Sequence, residues 1–168
     1  MINNFNYKIV VFLMGVLLLV NGGFMLLSSL ISLFSNDGFV EKITISSLIV
    51  ISAGFVFLFF GRGYEKQIQK REGYLIVTLG WILMSITGTI PYIMTGVIPQ
   101  FSSSFFESMS GYTTTGATII EKIDSLPKGI LFWRSTTHWI GGMGIIVLAI
   151  AILPVSYTHL RAHETRPY

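Results

Sequence analysis

The stretch Gly111-Tyr112-Thr113-Thr114-Thr115-Gly116-Ala117-Thr118-Ile119-Ile120 decides how the chain is read. It is uncharged, rich in threonine and punctuated by glycine, and it follows a short apolar segment, Phe101 to Met109, that cannot cross a bilayer. Irregular backbone facing lipid leaves N–H and C=O groups unpaired, at several kcal/mol each. A loop of this kind at membrane depth therefore has to be buried in protein or line a watery path. Backbone carbonyls and threonine hydroxyls along such a path suit a dehydrated monovalent cation.

The surroundings support membrane depth. The chain has 168 residues, 52% of them hydrophobic and only 11% charged, against roughly a quarter charged in a soluble domain. With no cysteine, neither a disulfide framework nor a thiolate metal site arises. The net charge of +3 is small and scattered, which excludes a nucleic-acid-binding surface and leaves the basic residues as topology signals beside apolar runs.

Four spans follow from the apolar pattern. The first runs from about Ile9 to Leu33 and is too long to be a cleaved signal peptide. The turn Ser35-Asn36-Asp37-Gly38 leads to a second span, about Ile43 to Phe60. The loop Arg62 to Glu72 holds Arg62, Lys66, Lys70 and Arg71, so it is expected in the cytoplasm, with the N-terminus inside and the Asp37 turn outside. A third span, about Tyr74 to Ile98, is expected to kink at Pro91, with Thr87 or neighbouring helices satisfying the freed carbonyl. The segment Phe101 to Met109 then re-enters from the outer face, and the threonine loop climbs back to the charged outer stretch Glu121-Lys122-Ile123-Asp124. A fourth span, about Ile130 to Leu153, returns inside.

The expected fold is an all-α integral membrane protein: a two-helix hairpin with its cytoplasmic loop over residues 1–72, then one helix–re-entrant pore helix–filter loop–helix repeat over residues 73–154. Residues 155–168 change character after Pro154. Ser156 to Thr165 reads as translated adapter sequence joined to a truncated gene, and it is left out of the fold reasoning. His159 and His163 would share a helix face there, too few ligands for a metal site.

In the loop itself, Gly116 can take φ > 0 and so turn successive carbonyls to one side. Thr113, Thr114 and Thr115 add hydroxyls without fixed charge, and the C-terminal carbonyl end of the short helix points partial negative charge at the path. A polar loop with no such duty is the plain alternative. Glu107, an ionisable residue at membrane depth, is expected to serve structure, either in a capping box begun by Ser104 or by bonding the pore-helix or filter backbone. Arg134 is expected to snorkel to the interface or pair with Glu107 or Asp124. His138 reads as a packed or interfacial residue. Gly141-Gly142-x-Gly144 lies inside an apolar helix with no strand before it, so close helix packing is its reading, and a nucleotide loop is not. There is no GxxxxGK[ST], no HExxH and no Ser/His/Asp constellation, so neither an enzyme nor a bound cofactor is expected.

The run Phe105 to Thr118 resembles the first filter of the Trk/Ktr/HKT superfamily of potassium transporters, and Leu131 to Ile150 resembles the helix after it. The first two spans resemble the extra hairpin of the bacterial Trk branch. The resemblance implies potassium as the transported ion, bound by the carbonyls of Thr114, Thr115, Gly116 and Ala117, with Thr113 supporting the inner end of the filter. It implies that glycine at 116 favours potassium, since serine there goes with sodium transport in plant relatives. It also implies the bacterial cytoplasmic membrane, a homodimer of the full-length protein, and a cytosolic nucleotide-binding regulatory subunit. Family members carry four such repeats and this chain carries one, so it is expected to be the first third or so of a transporter. A sodium-permeable relative and a non-conducting membrane interaction module are the alternatives.

Overall fold

The computed structural model describes residues 6–63 and 70–161, with side chains over 6–63 and 71–146. The described residues are helical with short connections: α1 (Tyr7–Ser35), α2 (Val40–Phe60), α3 (Lys70–Gly88), α4 (Ile90–Thr95), α5 (Phe101–Tyr112), a 3-10 turn (Ile123–Ser125) and α6 (Lys128–Arg161). Most of the basic loop expected over Arg62–Glu72, and the last residues of the tail, 162–168, lie outside the described residues.

Tyr7–Ser35, Val40–Phe60 and the stretch Arg71–Thr95 are each long and apolar enough to cross a membrane. Their exposed residues include Leu48, Phe55, Phe59 and Phe60, a surface that lipid covers at no cost and water does not. Where the helices meet, polar and small residues replace bulk. The Ser29 and Thr44 hydroxyls lie 2.6 Å apart, and Ser47 donates to the Gly22 carbonyl at 2.8 Å. A Cβ on Gly15 would come within 2.8–2.9 Å of the α2 backbone at Leu58 and Gly54, so glycine permits the close approach of α1 and α2.

Contacts at the helix ends set the directions. Asn6 N–H, ahead of α1, donates to Glu72 near the start of α3 at 3.0 Å. Asp37, in the α1–α2 turn, accepts from Gly129 N–H at the start of α6 at 2.9 Å. The starts of α1 and α3 therefore share one end of the bundle, while the α1–α2 turn and the start of α6 share the other.

The third span breaks as expected near Pro91, but two residues earlier. Gly88 closes α3, Thr89 N–H turns back to Ile86 at 3.2 Å, and Pro91 stands in the first turn of α4. Proline lacks an N–H and prefers a helix's first turn, so starting a new helix costs less than kinking the old one. The Gly88 carbonyl at the break accepts from Trp133 Nε1 on α6 at 3.2 Å. Trp133 and Tyr92 are fully buried, in a core with Leu18, Met25, Ile43, Val50 and Ile130.

Two further boundaries differ from the sequence pattern. α5 runs to Tyr112 instead of ending at Met109, because Gly111 is packed against Thr137 and Tyr112 is held by α1. The backbone of α6 continues past Pro154 to Arg161, so the change after Pro154 is one of composition and not of helix.

Candidate ion-binding site

α5 has 12 residues, about 18 Å at 1.5 Å per residue, against a hydrocarbon core of about 30 Å. Its last residue, Tyr112, is completely buried and donates its hydroxyl to Asn21 Oδ1 at 2.5 Å. Asn21 stands at the middle of α1. The chain then turns: Thr113 N–H bonds back to Met109 at 2.9 Å, Thr114 N–H to Gly111 at 2.9 Å and Thr115 N–H to Ser110 at 3.0 Å. These bonds hold the first loop residues on the carbonyl end of α5, where the helix presents partial negative charge.

Beyond that point the backbone leaves ordinary conformations. Thr114 has φ 55° and Gly116 φ 75°. The left-handed region costs about 1–2 kcal/mol for a residue with a Cβ, and a β-branched residue there is a clear outlier. Glycine at 116 avoids that cost, while Thr114 bears it. Such outliers gather where function demands a backbone that sterics resist. Residues Thr113 to Ile119 are all exposed, so one side of the loop faces away from the helices that carry it.

The threonine hydroxyls bond within the loop. Thr113 Oγ1 donates to the Met109 carbonyl at 2.8 Å and sits 2.8 Å from Thr115 Oγ1, while Thr114 Oγ1 donates to the Thr113 carbonyl at 2.7 Å. They brace the loop. Ala117 is a mixed case, since its carbonyl accepts from Ser110 Oγ at 2.6 Å. A carbonyl oxygen has two lone pairs, so one stays available.

The Thr118–Ile119 limb of the loop is held by Glu107, whose residue is 1% exposed. The carboxylate accepts from Thr118 Oγ1 at 2.9 and 3.0 Å and from Ile119 N–H at 3.1 Å, and it pairs with Arg134 Nε at 2.8 Å. The pairing of Glu107 with Arg134, one of the expected alternatives, is present, and the carboxylate also bonds loop backbone at Ile119. The capping box is not: α5 begins at Phe101, three residues before Ser104, and Ser104 Oγ bonds the Ile98 carbonyl at 2.6 Å instead. His138 packs with Nδ1 3.0 Å from the Arg134 carbonyl.

The glycine cluster of α6 performs the close packing expected of it. A Cβ on Gly141 would lie 2.1 Å from the Tyr112 carbonyl oxygen, so α6 touches the backbone where α5 ends. The supports that sequence reading missed are Asn21, Ser110 and Tyr112. Asn21 carried a legible signal as an amide in the middle of an apolar span. Nothing marked Ser110 or Tyr112 as different from their neighbours.

Comparisons with known proteins give the family and the overall fold. A family described as TrkH, cation transport protein, matches residues 37–157. The chain belongs to the TrkH cation transport protein family. The Trk system potassium uptake protein TrkH of Salmonella typhimurium is 38% identical over 151 residues, covering 89% of this chain and 31% of that protein. The uncharacterized cation transporter MJ1485 of Methanocaldococcus jannaschii is 33% identical over 146 residues, covering 87% of this chain. The crystal structure of the potassium transporter TrkH from Vibrio parahaemolyticus superimposes with a TM-score of 0.83 at 37% identity, over 89% of this chain and 32% of that one. The likeness to the Trk branch is thereby shown, and with it the all-helical membrane fold. The chain spans about a third of the length of these TrkH relatives.

Proposed function

We propose that this chain supplies the first filter segment of a Trk-type potassium uptake pore in a bacterial cytoplasmic membrane, with its N-terminus in the cytoplasm. The carrying observation is the loop after α5: Thr114 and Gly116 both at positive φ, on a helix too short to span, with one side exposed. α5 acts as a re-entrant pore helix. It ends against the middle of α1, and the chain then comes back to Gly129, which bonds the Asp37 turn.

The carbonyls of Thr114, Thr115, Gly116 and Ala117 replace part of the ion's water shell, and Thr113 braces the inner end. Glu107 and Arg134 hold the loop without touching the ion. One such segment contributes one side of a filter, so the ion is enclosed only when equivalent segments complete the ring. Potassium moves inward, helped by an interior-negative potential worth about 2.3 kcal/mol per charge per 100 mV. The full-length protein acts as a homodimer gated by a cytosolic nucleotide-binding subunit. The TrkH relatives of Salmonella typhimurium and Vibrio parahaemolyticus are potassium transporters, which supports the choice of potassium.

The test is ion flux in the full-length transporter that carries this segment. Gly116→Ser is expected to raise sodium permeation and lower that of potassium. No change in either, with normal membrane insertion, would sink the potassium reading. Unaltered flux after replacing Thr114 and Thr115 would favour a non-conducting interaction module.

A further inference from the structure

The hairpin α1–α2 precedes the pore-forming repeat and supplies no residue to the loop after α5. Yet a buried polar contact runs from it to the residue that ends α5. Asn21, completely buried in the middle of α1, uses both ends of its amide. Oδ1 accepts the Tyr112 hydroxyl at 2.5 Å, and Nδ2 donates to Thr87 Oγ1 on α3 at 3.0 Å. Thr87 Oγ1 in turn donates to the carbonyls of α3, at 3.0 Å to Leu83 and 3.2 Å to Met84, so the Asn21 amide finds its acceptor in a fixed orientation.

Tyr112 is the residue directly before Thr113, where the loop begins. Its ring is tied to α1, and its backbone carbonyl is pressed by Gly141 of α6, leaving no room for a Cβ. The residue is clamped at both its ring and its backbone. Its other neighbours allow little movement: a Cβ on Gly88 would meet the Tyr112 ring at 3.0 Å. In hydrocarbon neither hydroxyl nor amide finds water if the pair separates, so the contact strongly favours one position of Tyr112.

We propose that Asn21 is a positioning residue for ion selectivity: through the Tyr112 hydroxyl it sets the depth and rotation of the inner end of the filter loop. The hairpin is then a backing for the filter as well as a membrane anchor. The inference rests on the potassium reading of the loop. A carbonyl filter discriminates between ions by the placement of its oxygens, so losing one anchor next to Thr113 shifts selectivity more than total conduction.

The experiment uses the full-length transporter in proteoliposomes, reading the potassium-to-sodium permeability ratio and total potassium flux per inserted protein. Tyr112→Phe, which removes only the hydroxyl, and Asn21→Leu are each expected to lower the ratio about fivefold, the size of one hydrogen bond. The double variant is expected to be no worse than Asn21→Leu alone, because both remove the same contact. Ser29→Ala removes the hairpin contacts of the Ser29 hydroxyl with Thr44 Oγ1 and the Val40 carbonyl and is expected to leave the ratio unchanged.

An unchanged ratio in Tyr112→Phe overturns the proposal, and so does an equal drop in Ser29→Ala, which would mean general loosening of the hairpin. Should Asn21→Leu fail to insert, Tyr112→Phe and Thr87→Val decide by the same criterion. Gly116→Ser run alongside separates the two levels. If it leaves the ratio unmoved, the potassium reading fails. If it shifts the ratio while Tyr112→Phe does not, only the positioning role fails.

Discussion

Glu107 and Arg134 lie 2.8 Å apart, and the side chain of Glu107 is wholly out of solvent while that of Arg134 keeps 15% exposure. The same carboxylate also accepts from Thr118 and Ile119. One acidic side chain thus ties α5, the outer limb of the loop and α6 together. Both oxygens of the carboxylate have donors, which is the condition under which a buried ion pair is tolerable.

Removing one partner is therefore expected to cost more than removing both. Glu107→Gln or Arg134→Gln alone should destabilise the folded protein by about 3 kcal/mol, the low end for a broken buried pair because Arg134 is partly exposed. The double variant should cost clearly less than the two singles added. Thermal unfolding of the purified full-length protein in detergent measures all three, and strict additivity would remove the pair from the account.

Gly141 and Gly142 are neighbours with opposite expectations. Alanine at 141 drives a methyl into the Tyr112 carbonyl, 2.1 Å from an ideal Cβ, whereas at 142 the nearest atom is a Thr114 methyl at 3.9 Å. Gly141→Ala should misplace α5 and abolish flux, at a cost of several kcal/mol for a backbone clash with nowhere to relax. Gly142→Ala should fold and transport. Flux assays normalised to inserted protein distinguish them, and equal behaviour would count against the α5–α6 contact.

Asp37 gives a pH dependence whose sign can be worked out. Partial burial raises its pKa, but hydrogen bonds from Gly129 N–H, the Ser32 hydroxyl and Phe39 N–H outweigh this and hold the carboxyl below its ordinary value. A depressed carboxylate contributes stability that is complete above the unfolded value of about 3.9 and is lost as pH falls through the lower folded one. At neutral pH, Asp37→Asn should cost about 0.5–1 kcal/mol, a modest helix-start cap reduced by solvent screening. The difference from wild type should begin to shrink near about pH 4 and vanish in strong acid, and thermal melts stepped from about pH 7 down to about pH 1 test it.

Trp133→Phe keeps most of the buried ring but removes the N–H that reaches the Gly88 carbonyl at 3.2 Å. The expected loss is about 1 kcal/mol, with faster amide exchange confined to the α3–α4 junction. Hydrogen exchange followed by mass spectrometry reads this directly, and unchanged protection around Thr89 would mean that another donor serves the break.

Much of this protein is legible in the linear pattern. Long apolar runs have few stable forms in a bilayer other than helices, so the positions of α1, α2 and the α3–α4 span follow from composition. The short segment from Phe101 and the Thr-Gly run after it announce their own abnormality, since a helix that cannot span must end inside or at a surface. A partner for Glu107 is expected too, because a charge at that depth needs an opposite one, but the choice of Arg134 to pair with Glu107 instead of snorkelling or meeting Asp124 came from the packing. The Ser104–Glu107 spacing misleads. It matches a capping box, but the helix starts at Phe101, and a local motif carries no information on where Thr118 and Arg134 will lie.

What the chain alone determined, then, is which segments enter the membrane and which loop departs from ordinary backbone, because both depend on local composition and on the cost of unpaired groups in lipid. The tertiary structure alone decided how that loop is held. Asn21 meets Tyr112 across 91 positions of sequence, and Asp37 meets Gly129 across 92. Contacts at that separation depend on the relative depth and rotation of whole helices. Those are set by packing of small residues such as Gly15 and Gly141 against particular backbone atoms, and no periodicity along one segment encodes the position of its partner.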